Sequence, residues 1–128
     1  MIGWKKVEIR NESGFVRNAI LKLKVTGRVI EPTRKAEVLS SRGIFREVTK
    51  FRTDKLTVLA AYRPRTLKPV VLKEGEYIGA AHWSADEFRY VVGKVHKPQF
   101  KLNTDVGVDC ASGLHFFDRR SNAEDWDR

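Results

Sequence analysis

The sequence predicts an α+β fold, mainly antiparallel β sheet with short helices, one of them at the C-terminus. Three observations carry this. Apolar residues recur at period two in several segments, turn residues separate those segments, and no long stretch shows the 3.6-residue periodicity of an amphipathic helix. A chain of 128 residues is long enough to bury a core without disulfides or metal, so residues 1–128 are expected to form one basic, β-rich domain.

The strongest segment is Ala19-Ile20-Leu21-Lys22-Leu23-Lys24-Val25. Ala19, Leu21, Leu23 and Val25 point one way and Lys22 and Lys24 the other, as in a half-buried strand. Asn11-Glu12-Ser13-Gly14 is a turn that joins it to Val7 and Ile9 in a hairpin. Gly27 and Pro32 then punctuate the chain before a polar stretch, 33–43, with no clear form. A second strand centres on Lys55–Ala60, with Leu56, Val58 and Ala60 on one face. Pro64 and Pro69 bracket a loop, Val70 and Leu72 suit a short strand, and Lys73-Glu74-Gly75-Glu76 a turn before Tyr77-Ile78. The aromatic and β-branched run Phe88-Arg89-Tyr90-Val91-Val92 predicts another strand, ended by Gly93. Val106, Val108 and Cys110 alternate, and a turn at Ser112-Gly113 leads into the strand Leu114–Phe117. Ser84-Ala85-Asp86-Glu87 and Ser121-Asn122-Ala123-Glu124 both fit a capping box. The first supports only a turn. The second starts a helix over 121–127 with Trp126 packed on the sheet.

The formal net charge is +9, and it is unevenly placed. Residues 1–73 hold 18 basic and 6 acidic side chains, and residues 74–128 hold 7 and 10. Basic residues seldom run beyond two in a row, which is the spacing of a sheet's wet face rather than of a basic tail. An acidic protein surface and a phosphate backbone are the partners such a half would attract. The single cysteine excludes an intramolecular disulfide framework and a multi-cysteine zinc site. No apolar run reaches the length of a membrane span, and the start lacks a signal-peptide core, so a soluble protein of the cytoplasm is expected, with no membrane partner.

Few residues suggest chemistry. The three histidines, His82, His96 and His115, match no compact zinc spacing with Cys110, and no phosphate-loop, dinucleotide or nucleophile-elbow motif is present. No catalytic residue, metal site or cofactor is therefore expected. The binding candidates are Trp83 and His82, where a large aromatic sits at a turn; Tyr90 and His115, an aromatic and a titratable group in strands; and Lys5, Lys6 and Arg52 from the basic half.

Gly3-Trp4-Lys5-Lys6, Lys50-Phe51-Arg52 ahead of Lys55–Leu59, Phe88-Arg89-Tyr90-Val91-Val92-Gly93, and Cys110–Phe117 with Ala123 beyond occur in one order. Together they resemble a small domain of unknown function carried by bacteriophages and giant viruses, often beside pentapeptide repeats. The chain departs from that pattern at Phe51, where the family often has a cysteine, and at Asn103-Thr104-Asp105-Val106, which replaces an acidic loop. The resemblance implies a phage or viral origin and brings no catalytic activity. Gly113–Phe117 followed by Ser121 and Ala123 is also similar to the aromatic strand and Ser-x-x-Ala helix of ADP-ribosyltransferases, although Glu124 comes too early for that family's catalytic glutamate. The leading expectation is a phage or viral interaction domain that binds a host or viral protein. The alternatives are a nucleic-acid binder using the basic first half and an ADP-ribosyltransferase-like enzyme.

Overall fold

A computed structural model describes residues 1–80, 88–108 and 111–126. Along the chain its strands are β1 (Ile2–Asn11), β2 (Gly14–Val25), β3 (Val29–Ile30), β4 (Ala36–Leu39), β5 (Phe45–Val48) and β6 (Phe51–Thr53). They continue with β7 (Leu56–Tyr62), β8 (Tyr77–Ala80), β9 (Arg89–Tyr90), β10 (Val95–His96) and β11 (Leu114–Phe116), before one short helix, α1 (Arg120–Asp125). The protein is thus mostly antiparallel sheet with a short helix near the C-terminus.

The expected hairpin is the spine of the molecule. β1 and β2 pair from Ile2 opposite Lys24 to Asn11 opposite Gly14, with one register shift between Ile9 and Arg10. Asn11 closes the turn by accepting the Ser13 N–H at 2.9 Å, and Gly14 takes φ 109, which a side chain would resist. Around this spine the main sheet runs β10-β7-β2-β1-β8-β9, while β11-β6-β3 and β4-β5 form two smaller sheets.

The alternation along β2 decides which face is buried. Ala19, Leu21 and Leu23 are fully buried with Val7, Ile9, Leu56 and Val58, and Phe51, Leu114 and Phe116 of the three-stranded sheet close over them. Phe51 and Phe116 stack with centroids 5.4 Å apart, and Gly3 lets the Phe116 ring lie against β1. Each such aliphatic side chain removed from water contributes roughly 1.5–3 kcal/mol, so this layer is the main source of stability. A second apolar cluster lies on the opposite face of the main sheet. There Ile20 meets Val38 and Val48 of the β4–β5 hairpin, Phe117, and Ala123 of α1.

Several elements depart from the sequence expectation. β7 pairs with β2 through a register shift between Lys22 and Leu23, so Leu59 is an extra residue and Ala61, not Ala60, turns inward. Val91 and Val92 are exposed beyond the two-residue β9, because the chain turns at Gly93 to bring β10 beside β7. Val70 and Leu72 form no strand; only Pro69 bridges, to Tyr62. Residues 103–108 are a loop rather than an alternating strand. The capping box at Ser121 does not form. The N-cap is Arg119 without a side-chain cap bond, and Glu124 accepts the Arg65 N–H and pairs with Arg120 at 3.5 Å. The helix ends at Asp125, and Trp126 packs on Phe117 as expected, 5.5 Å between centroids. Ser84–Glu87 lies outside the described residues.

Candidate functional site

Of the sequence-derived candidates, His82 and Trp83 lie outside the described residues. Tyr90 is buried in the core, packed with Phe88 at 4.9 Å and His96 at 5.3 Å, and burial pushes its phenol well above the ordinary tyrosine range. Lys5, His115 and Arg52 come together. His115 stands opposite Arg52 in the β11–β6 register, and its carbonyl accepts the Lys5 ammonium at 3.0 Å. Burial first, and the charge of Lys50 second, lower the Lys5 amine to about 8. Lys6 points to the other face of β1 and donates to the Trp126 carbonyl at 2.8 Å.

Arg52 is fully buried, and its guanidinium is directed inward. It donates to the carbonyls of Asn103 (2.8 Å), Asp105 (2.5 Å) and Val108 (2.6 Å). The loop is shaped to receive it, since Asn103 Oδ1 accepts the Asp105 N–H and Asp105 Oδ1 accepts the Gly107 N–H, both at 2.9 Å. Arg52 therefore organises residues 103–108 rather than presenting a charge to a partner. Lys5 and Lys6 likewise tie segments together.

The exposed surface with a defined composition is elsewhere, on the outer face of the main sheet. Cross-strand partners in an antiparallel pair project to the same side, so the register strings residues into rows. One row runs Lys6–Ile20–Tyr62 and lies beneath α1 and the β4–β5 hairpin. The next row, Trp4–Lys22–Ala60, is half-exposed. The last runs Ile2–Lys24–Thr57–Val95 across four strands. Ile2 is 42% exposed and Val95 54%, and the bulged Leu59 beside them is 42% exposed. Among the described residues, α1 and the β4–β5 hairpin pack over the Ile20 row, while the row at the far end of these strands keeps exposed side chains.

Trp4 marks the border. Its backbone is fixed to Phe117 by two hydrogen bonds of 2.8 Å, and its ring has Lys22 and Arg120 about it at 5.9 and 5.8 Å from the centroid. Neither bare row contains a carboxylate. The outward parity of Lys22 and Lys24 was legible in the sequence. Ile2 and Val95 were not, because nothing in either segment reveals that both lie in line with Lys24.

Glu124 and Asp125 tie α1 to the rest of the fold. Asp125, with a side chain 7% exposed, bridges Arg46 at 2.7 Å and Arg65 at 3.0 Å, while Asn122 accepts from Arg46 at 2.8 Å. Burial alone would raise the Asp125 carboxyl, but the hydrogen bonds and charges of Arg46 and Arg65 outweigh it and hold it below its ordinary value. Among the described residues, no group of three or more histidines, cysteines or acids is placed to hold a metal, and no helix is long and apolar enough to cross a membrane.

Fold and surface together define a small antiparallel-β domain with a helix-capped, half-bare sheet face. The chain belongs to the family of unknown function DUF5758, whose model matches residues 1–123. No curated protein and no solved structure matches it.

Proposed function

We propose that this protein is an interaction module that docks an acidic protein, of host or viral origin, on the bare rows of the main sheet. The observation that carries this reading is the row Ile2–Lys24–Thr57–Val95, in which exposed aliphatic side chains flank a cation with no carboxylate in line. Aliphatic groups supply contact area that gains from leaving water, and Lys22 and Lys24 at the centre and border favour a partner that brings carboxylates. A second copy of the chain is disfavoured on the same face, because it would set these lysines against one another. The phage or giant-virus setting and the company of pentapeptide repeats, suggested by the resemblance, belong to the same proposal and supply the kind of partner.

The test is capture from cells that naturally express the protein, comparing wild type with Val95→Asp and Lys24→Glu. Both positions are solvent-facing, so thermal unfolding should be nearly unchanged. The reading expects one partner, acidic in composition, held by wild type and lost from both variants. Equal recovery by all three proteins would refute it.

A nucleic-acid surface is the second reading, favoured by the Trp4 ring with Lys22 and Arg120 about it. It expects single-stranded oligonucleotide binding that weakens steeply with salt and is lost in Trp4→Ala.

A further inference from the structure

We infer that the cleft between β2 and the turn after β7 is a binding site for a small phosphoryl-bearing anion. The cleft is open, about 450 Å³, and lined by Arg17, Asn18, Arg63, Pro64, Thr66 and Lys68. It lies beyond the Tyr62 end of β7, whereas Val95 and Lys24 pair with Thr57 near the opposite end, so it is separate from the proposed docking rows.

The cations of this cleft differ from those that build the fold. Arg17 is held in place by Glu76, at 2.9 and 3.2 Å, and by the Val71 carbonyl at 3.1 Å. The exposed side chains of Arg63 and Lys68 have neither a hydrogen bond nor an ion pair among the described residues. One carboxylate thus answers three cations, and the surplus faces the cleft. The Arg63 fork, the Lys68 point charge and the Asn18 amide match a multi-oxygen dianion better than a single carboxylate, while the Thr66 hydroxyl is kept within the turn by the Arg63 carbonyl.

The turn that carries them is set before any ligand arrives. The Arg63 N–H donates to the Lys68 carbonyl at 2.9 Å, Thr66 N–H to the Arg63 carbonyl at 3.2 Å, and Lys68 N–H to Thr66 Oγ1 at 3.2 Å. Pro64 fixes its own φ, and Arg65 adopts φ 61, a conformation costly for a side-chain residue. The Arg65 N–H is engaged by Glu124, and Arg120 donates to the carbonyls of Arg63 and Thr66, so α1 pins the turn from behind. The turn backbone is thus fixed in advance, and only the Arg63 and Lys68 side chains have to be ordered when an anion binds. The cations are confined to one turn and one strand end instead of tracking along the surface, which suits a compact anion rather than a polymer.

The experiment is calorimetric titration of the full chain at low salt with inorganic pyrophosphate, ADP and succinate. Saturable binding of pyrophosphate or ADP, with succinate much weaker, is expected; the two phosphoryl probes tell a free anion from a nucleotide. Arg63→Ala/Lys68→Ala should weaken binding about tenfold or more, while Lys97→Ala, beside β10 at the other end of β7, leaves it unchanged. No saturable binding, succinate binding as well as pyrophosphate, or equal losses in the Lys97 variant would overturn the site. So would a duplex oligonucleotide that binds more tightly than either phosphoryl probe and loses affinity in the double variant. Val95→Asp should not affect the titration, so its outcome is independent of the sheet-face reading.

Discussion

Trp4 and Phe117 exchange two backbone hydrogen bonds, each 2.8 Å, which lace the end of the three-stranded sheet to β1. The link sets the neighbours Phe116 and Phe117 to opposite uses. Phe116 drops into the core over Gly3, and Phe117 packs with Ile20 and Ala123 under the helix. The bare sheet rows are therefore bordered by a rigid element, Trp4, rather than by a loop.

The fit of Phe116 on Gly3 is tight. A Cβ at position 3 would lie 2.6 Å from Phe116 Cδ2, inside contact distance. Gly3→Ala should cost about 1–3 kcal/mol by overpacking. Phe116→Ala should cost about 3–5 kcal/mol by cavity formation. Denaturant unfolding measures both, and Gly3→Ala should cost less in a Phe116→Leu background than alone.

Arg52 anchors residues 103–108 through three carbonyls. Arg52→Met keeps much of the stem but leaves those carbonyls unanswered, at an expected cost of roughly 2–4 kcal/mol. Amide hydrogen exchange at Asp105 and Gly107 should accelerate more than in the β1–β2 hairpin. Uniform acceleration would mean that Arg52 supports the fold generally rather than that loop.

Asp125 makes stability depend on acid. Its carboxyl is held below the ordinary 3.8, so its stabilising contribution is complete above that value and disappears as pH falls through the folded value. Asp125→Asn should lose about 1–2 kcal/mol at neutral pH, discounted because Arg46 and Arg65 are partly exposed, and should show a shallower acid decline. Thermal melts from pH 7 to pH 2 would show the two curves converging at low pH.

Lys5 acts in the opposite range. Its amine is lowered to about 8 from 10.5, so between these values the unfolded chain binds more protons than the folded one. Stability should therefore rise with pH across this window, and Lys5→Met should remove that contribution. Unfolding free energies at pH 7.5 and pH 10 test this; an identical pH increment in both proteins would contradict it.

The hairpin and the buried face of β2 were legible because alternation along one strand reports directly on which side faces the core. Lys22 and Lys24 were placed outward by the same parity. The inward shift to Ala61 was not legible, because a bulge is a property of two paired strands. Arg52 resembled a surface cation, since the carbonyls that receive it lie some fifty residues further on. Ser121 had the spacing of a helix cap, but Glu124 is drawn away by Arg65 and Arg120, and Arg65 lies in a distant turn. The candidate surface was half legible for the same reason. Its lysines are encoded locally, while Ile2 and Val95 join them only through long-range register.

The measurement that bears most directly on the interaction reading is site-specific photocrosslinking in the natural host cell. A photoreactive residue is placed at Val95 and, in a separate protein, at Phe100, which is similarly apolar and 65% exposed. A single crosslinked partner from Val95, suppressed by Lys24→Glu and not formed from Phe100, is the predicted result. Equal crosslinking from both positions, or from Phe100 alone, would contradict the assignment of the sheet face.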